Sequence, residues 1–337
     1  MRGALRLFAL AGALVAGLGL SALALILAGV PAESLADEFI MATIFDPMNF
    51  KAVLVQAAPL MLVGLCAAMA FRVRFWNLGI EGQMIFGGIG ATLVSLLHLG
   101  PEWARLPLMG LAAMVCGALW ALIPALLKLR LAVNEIISTL LLNYIAYYFL
   151  LHLLYGAWKD QDGFPHSPAY APFELLPDLS SGIGVSLVIA CTAAAVMAYI
   201  AARSRAGIYM RFVSANPGVA RALGVPVARM VLSIVLVSGC LAALAGFVVT
   251  SGQEGRLTQS FFPGYRVSGV LIGFLARNNP IAAAIVALLM SVLFVAGQNL
   301  QVFYSIPPSM VQLIQAVVVM SVAASDFLVI HRVHWIR

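Results

Sequence analysis

Runs of about twenty residues with almost no charge recur along nearly the whole chain. A run of that length is what an α-helix needs to cross the hydrocarbon core of a bilayer. Nine such segments stand out, at 7–30, 52–71, 85–99, 106–127, 136–156, 185–202, 231–251, 281–297 and 310–330. The third reaches full length only if it begins near Asn77. A tenth apolar stretch, 267–275, is bounded by Gly264 and by Asn278-Asn279-Pro280 and is too short for an ordinary span. Interrupted helices of this kind occur in membranes only where protein or a water-filled cavity surrounds them. Composition agrees, because only 9% of residues are charged and 63% are apolar, against about 25% charged in soluble domains. The expected fold is all-α: a polytopic integral membrane protein with about ten transmembrane helices, one of them short and broken. The opening stretch, Arg2 and Arg6 followed by 7–30, is about twice a secretory h-region, so it predicts an uncleaved first helix.

The cations fix an orientation. With the N-terminus cytoplasmic and all ten segments crossing, 14 Lys and Arg fall inside, among them Arg72, Arg74, Lys128, Arg211, Arg221, Arg277, Arg332 and Arg337. Five fall outside: Lys51, Arg105, Lys159, Arg256 and Arg266. The positive-inside rule favours that arrangement, with both termini cytoplasmic. The net charge of +6 therefore reads as a response to anionic lipid, and no basic run interleaved with aromatics suggests nucleic acid. Two outside loops follow, 31–51 with Glu33, Asp37, Glu38 and Asp46, and 157–184, rich in turn residues. No repeat or soluble linker interrupts the chain, so 1–337 reads as a single membrane domain.

Chemistry-bearing clusters are scarce. Cys66, Cys116, Cys191 and Cys240 lie singly in apolar runs, and the five histidines (His98, His152, His166, His331, His334) are dispersed in or near loops. Neither set has metal or catalytic spacing, so no cofactor is expected. No lysine follows a glycine, so there is no Walker A loop and ATP hydrolysis by that route is excluded.

The segment 203–230 carries five arginines and no acid. Ser214 or Asn216 suits a helix N-cap, Pro217 its first turn and Gly224 its end, giving about two turns with Val219, Ala222, Leu223 and Val225 as a small apolar face. Such a helix is either a connector lying on the lipid surface or a docking knob for a cytoplasmic partner. The run Asn216-Pro217-Gly218-Val219-Ala220-Arg221-Ala222-Leu223-Gly224-Val225 resembles the coupling loop of ABC-transporter permeases. Phe71 to Gln83, with Asn77-Leu78-Gly79-Ile80-Glu81-Gly82-Gln83 at its centre, looks like the signature of the branched-chain and simple-sugar permease superfamily. Asn134-Glu135-Ile136-Ile137-Ser138-Thr139-Leu140-Leu141-Leu142-Asn143-Tyr144-Ile145-Ala146 and Gly273 to Pro280 resemble segments of its nucleoside-type branch, associated with basic membrane proteins.

The resemblance implies the transmembrane permease subunit of an ATP-driven importer in a bacterial inner membrane, carrying nucleosides by alternating access. The same superfamily contains simple-sugar importers, which stand as the alternative, and an ion-coupled carrier is the competitor from another class. It further implies a cytoplasmic ATPase, an extracytoplasmic solute-binding protein and a second permease chain, a heterodimer rather than a homodimer. The ATPase-coupling residues would be Asn216, Pro217, Ala220, Arg221 and Gly224. Substrate-path candidates are the neutral amides Gln56, Asn77, Gln83, Asn143, Gln298 and Asn299, which can donate and accept without the cost of a buried charge, together with Glu81. Gln301, Gln312 and Gln315 belong to the same polar set, and Phe75, Trp76, Tyr144, Tyr147 and Tyr148 are candidate stacking rings. For each amide the alternative role is an interhelical hydrogen bond. Glu81 and Glu135 each begin a helix, where the dipole favours an acid; Arg72 or Arg74 is the expected partner of Glu81.

Overall fold

A computed structural model describes residues 2–27, 29–32, 41, 43–160, 163–179, 184–307, 309–310, 313–314, 316–318 and 320–321. Among these residues the chain forms eleven α-helices and no β-sheet. The apolar ones are α1 (Arg2–Leu27), α2 (Pro47–Arg72), α3 (Ile80–Leu96), α4 (Glu102–Leu131), α5 (Glu135–Tyr155), α6 (Val185–Arg203), α9 (Val227–Val249), α10 (Tyr265–Leu275) and α11 (Pro280–Tyr304). Helical backbone also occurs at the described residues among 309–321. Two short helices, α7 (Arg205–Ala215) and α8 (Pro217–Ala222), occupy the arginine-rich loop. Among the described residues six helices are long and apolar enough to span a bilayer, and α3 and α10 are shorter apolar helices. The multi-pass, all-helical expectation holds. The span expected at 310–330 lies mostly outside the described residues, and Glu33, Asp37, Glu38, Gln312, Gln315, His331, His334, Arg332 and Arg337 lie wholly outside them.

Two boundaries differ from expectation for local reasons. The loop expected over 31–51 ends earlier, because Asp46 receives the backbone N–H groups of Met48 and Asn49 at 3.5 and 3.4 Å, and Pro47 supplies a preset first helical residue. Helix α9 does not stop at its apolar limit but continues through a π-helical turn, Thr250–Glu254, closed by Gly255 in the left-handed conformation.

The chain divides into two compact units, residues 57–288 and residues 1–56 with 289–337. In the second, Leu25, Val30, Leu300, Ile306 and Ile314 form one buried cluster. In the larger unit, α3, α4 and α9 pack most closely upon one another. The approach is set by missing side chains: a Cβ at Gly246 would strike the Met84 carbonyl, and one at Gly87 would strike that of Ala243. Without a hydrophobic drive between helices in lipid, such backbone-to-backbone contact is a main source of helix association.

The loop after α5 is folded. Tyr170 N–H donates to the Gly255 carbonyl at 2.8 Å and Leu176 N–H to that of Ser251 at 2.9 Å. The buried Glu174 accepts from Ser95 Oγ at 2.7 Å and pairs with Arg105 at 3.3 Å. Burial pushes the Tyr170 phenol up to about 12, so it stays a neutral partner of Thr92, 2.6 Å away.

Candidate functional site

The Asn-Leu-Gly-Ile-Glu-Gly-Gln stretch forms the tight entry to α3, and two asparagines build it. Asn77 Oδ1 accepts from Gly79 N–H at 3.1 Å and from Gln83 Nε2 at 3.0 Å, while its Nδ2 donates to Gln83 Oε1 at 2.9 Å and Ser238 Oγ at 2.9 Å. Asn143, on α5, accepts from Gly82 N–H and donates to the Leu78 carbonyl, each at 2.8 Å. One of the N–H groups that the first turn of α3 leaves without a helical partner is thus satisfied from a neighbouring helix. Asn77 and Gln83 have essentially no exposed surface, at 0% and 1%. Their amides are spent on each other and on the turn.

This construction presents Glu81 to a cavity of about 420 Å3, lined also by Asn143, Tyr144, Tyr147, Gln259, Ser260, Phe262, Pro263 and Arg266. The Glu81 carboxylate lies 3.6 Å from Arg266 Nε and accepts backbone hydrogen bonds from Gly264 and Arg266. It therefore serves the N-terminus of α10 from its place in the first turn of α3, and its cationic partner is Arg266. Arg72 and Arg74, expected for that role, point elsewhere: Arg72 Nε donates to the Asn278 carbonyl at 2.7 Å, and Arg74 Nε to that of Ser214 at 2.9 Å. Arg266 lies in the first turn of α10 and not in a loop.

The cavity lies beside the middle of α5. Asn143 is the ninth of 21 residues in α5, about 12 Å from its start at 1.5 Å per residue. Two shortened helices, α3 of 17 residues and α10 of 11, begin at the cavity, so the positive ends of both point into it. Tyr147 meets Phe262 edge-on at 5.7 Å and Tyr148 at 5.6 Å, forming an aromatic wall beside the ion pair. Such a site offers ring faces, amides and hydroxyls together with one balanced charge pair, a surface for a neutral polar ring-bearing solute. Phe75 and Trp76 are not part of it. Phe75 is buried beneath Lys128, and Trp76 clusters with Phe71 and Phe274. Gln259, Phe262 and Arg266 were missed from the sequence; only the Gly264 break beside them hinted that this backbone lines something.

The loop between α6 and α9 is built in two steps. Ser204 caps α7, accepting from Gly207 N–H at 3.2 Å. Asn216 then caps α8, its Oδ1 accepting from Gly218 and Val219 N–H at 2.8 and 3.3 Å, with Pro217 at the first position. Ser214, the other expected cap, lies inside α7 instead. The helix ends as a Schellman motif: Val225 N–H reaches the Ala220 carbonyl and Gly224 N–H that of Arg221, each at 3.0 Å. Gly224 has φ +79°, which favours glycine. Ala220 and Val225 are buried inward, whereas Val219 and Leu223 stand 54% and 63% exposed, so the expected apolar face is split into an anchor and a free edge. Arg221 is exposed beside that edge.

A polar chain ties this loop to the helix entry above. Arg74 Nη2 donates to the Ala215 carbonyl at 2.8 Å, adding to its Ser214 bond at the end of α7. Lys128 donates to the Arg74 carbonyl at 2.8 Å and also pairs with Glu135 at the start of α5. Gln56, Gln298, Asn299 and Gln301 belong to the smaller unit, where Gln298 is exposed and Asn299 Nδ2 is buried without a hydrogen-bond partner among the described residues.

Residues 49–323 match the family described as branched-chain amino acid transport system / permease component. The chain is 32% identical over 332 residues to a glucose ABC transporter permease protein of Haloferax volcanii, covering 95% of this chain and 87% of that one. It is 30% identical to the guanosine ABC transporter permease protein NupP of Bacillus subtilis, covering 80% of this chain and 79% of the relative. To a second guanosine permease protein of that organism, NupQ, it is 28% identical, covering 76% and 84%.

Proposed function

Because the chain belongs to the branched-chain amino acid transport system / permease component family, we propose that it is the membrane subunit of an ATP-driven importer that moves nucleosides inward. The supporting observation is the cavity beside the middle of α5, where aromatic rings adjoin an amide and the Glu81–Arg266 pair between the starts of two short helices. Rings suit a base, and the polar groups suit a ribose. Binding at helix breaks near the midplane is how discontinuous spans serve transport. The whole chain, 1–337, works as one permease in the bacterial inner membrane, with both termini cytoplasmic. Its coupling element is α8, where Asn216 and Pro217 start the knob, Ala220 anchors it, Gly224 turns it, and Arg221 with Val219 and Leu223 meets a separate ATPase. The chain Glu135–Lys128–Arg74 carries movement of that knob to the entry of α3.

A solute-binding protein delivers the solute, and the second membrane half is a different permease chain. That pairing is supported by two guanosine permease proteins in one organism, both similar to this chain. A sugar is the second reading, because a glucose permease protein matches over most of the chain.

Uptake of radiolabelled guanosine and glucose by proteoliposomes holding the full complex tests the proposal. Glu81→Gln and Tyr147→Ala are expected to abolish or strongly weaken guanosine uptake while the complex still assembles. Wild-type uptake in both variants rules the cavity out, and glucose uptake without guanosine uptake replaces the solute but not the transport role.

A further inference from the structure

A second cavity, of about 330 Å3, lies well away from the proposed solute path. It is lined by Arg72, Met210, Arg211, Ser214, Ala215 and the Arg277-Asn278 turn. Three guanidinium-bearing residues converge there, and no acid is among the lining residues. Arg72 and Arg211 are close enough to repel each other. The Arg72 guanidinium is oriented by its 2.7 Å bond to the Asn278 carbonyl, yet its Nη1 is buried with no hydrogen-bond partner among the described residues. A buried donor left unpaired is costly, and more so beside like charge. An oxyanion would satisfy the free N–H and neutralise the repulsion together.

The level of the cavity narrows the choice of anion. Arg72 is the last residue of one spanning helix, and Pro280, two residues beyond Asn278, is the first of another. The cavity is therefore at the depth of lipid headgroups. Helix α7, which supplies Arg211, exposes Ile208 and Phe212 four residues apart, as a helix lying in the interface does. Basic pockets between spanning helices at this depth are suited to anionic headgroups. We propose that the Arg72–Arg211–Arg277 cavity binds the phosphate of an anionic phospholipid headgroup. The inference rests on the spanning reading of α2 and α11, and neither on the solute nor on orientation.

The test uses the full chain in neutral detergent, followed by thermal shift and native mass spectrometry during titration with phosphatidylglycerol, with phosphatidylcholine of equal acyl chains, and with sodium phosphate. Phosphatidylglycerol is expected to raise Tm and remain bound, and phosphatidylcholine to do neither. Arg211→Gln and Arg277→Gln, both at exposed positions and so tolerated by the fold, should each weaken phosphatidylglycerol binding about fivefold. Arg229→Gln, an exposed cation outside the cavity, should not. Equal phosphatidylglycerol affinity in wild type and both cavity variants would overturn the site. Protection by sodium phosphate without retention of phosphatidylglycerol would overturn the lipid as its ligand.

Discussion

Replacing Asn143 with leucine separates two roles that the residue can have, contact with solute or support of the turn that carries Glu81. The side chains have similar volume, so no cavity opens. What is lost is the pair of 2.8 Å hydrogen bonds to Gly82 N–H, which is buried, and to the Leu78 carbonyl, which is partly buried. In water-soluble cores, leaving a buried backbone group unpaired costs about 1–3 kcal/mol. Between membrane helices a hydrogen bond averages about 0.6 kcal/mol and reaches about 1.7. The membrane value governs here, since the denatured reference also lies in lipid, and two bonds give about 1–3 kcal/mol. For a body of 232 residues, 57–288, about 2–4 °C accompanies each kcal/mol, so Tm should fall by roughly 2–12 °C. Thermal unfolding of the detergent-solubilised chain, paired with guanosine uptake in proteoliposomes, measures both sides. Uptake should fall together with Tm, because Glu81 and Arg266 lose their register. Unchanged Tm with weakened uptake would refute the supporting role and make Asn143 a direct solute contact.

Arg74→Gln removes the two bonds to the end of α7 at an exposed position, so stability should change by less than about 1 kcal/mol while solute-stimulated ATP hydrolysis in the assembled complex is lost. Preserved stimulation would sever the proposed link between α7 and the α3 entry. Gly224→Ala should cost roughly 1–2 kcal/mol through the left-handed backbone alone, because its Cβ would meet nothing within 4 Å. Gly224→Asn should cost less, and equal Tm values for wild type and Ala would show that this turn is not strained. In a cysteine-free background, an impermeant thiol reagent applied to intact cells should label Phe164→Cys, 67% exposed, and spare Leu223→Cys, 63% exposed. The reverse pattern would invert the topology.

Much of the fold was legible because hydropathy reads directly on the cost of charge in lipid. Spans, the short broken helix and the Asn216-Pro217…Gly224 punctuation are all local signals. Partnership was not legible. Asn77 and Gln83 look like path-lining amides in the sequence, and nothing local says that they bond each other and Ser238, a residue distant in the chain. Glu81 had two arginines nearby in sequence and takes a third from across the fold, because its turn aims it at the start of α10. The Asp46-Pro47 start was a local signal, but one placed ahead of the apolar run, where hydropathy draws no boundary.

The backbone contact of Gly87 and Gly246 with the facing carbonyls leaves α3 and α9 no slack to slide. A slip of one turn, three to four residues, would bring Gln83 or Met84 on α3, or Val249 or Thr250 on α9, to the crossing and wedge the helices apart. This seam is therefore a keel: through any cycle of opening and closing, α3, α4 and α9 travel as a single block. Displacement must be taken up at joints that tolerate it. Helix α10 has such joints at both ends, Gly264 at φ +89° before it and Arg277 and Asn278 at φ 49° and 59° after it. Glu81 rides on the keel and Arg266 on the hinged piece, so their ion pair spans the boundary between what stays and what swings.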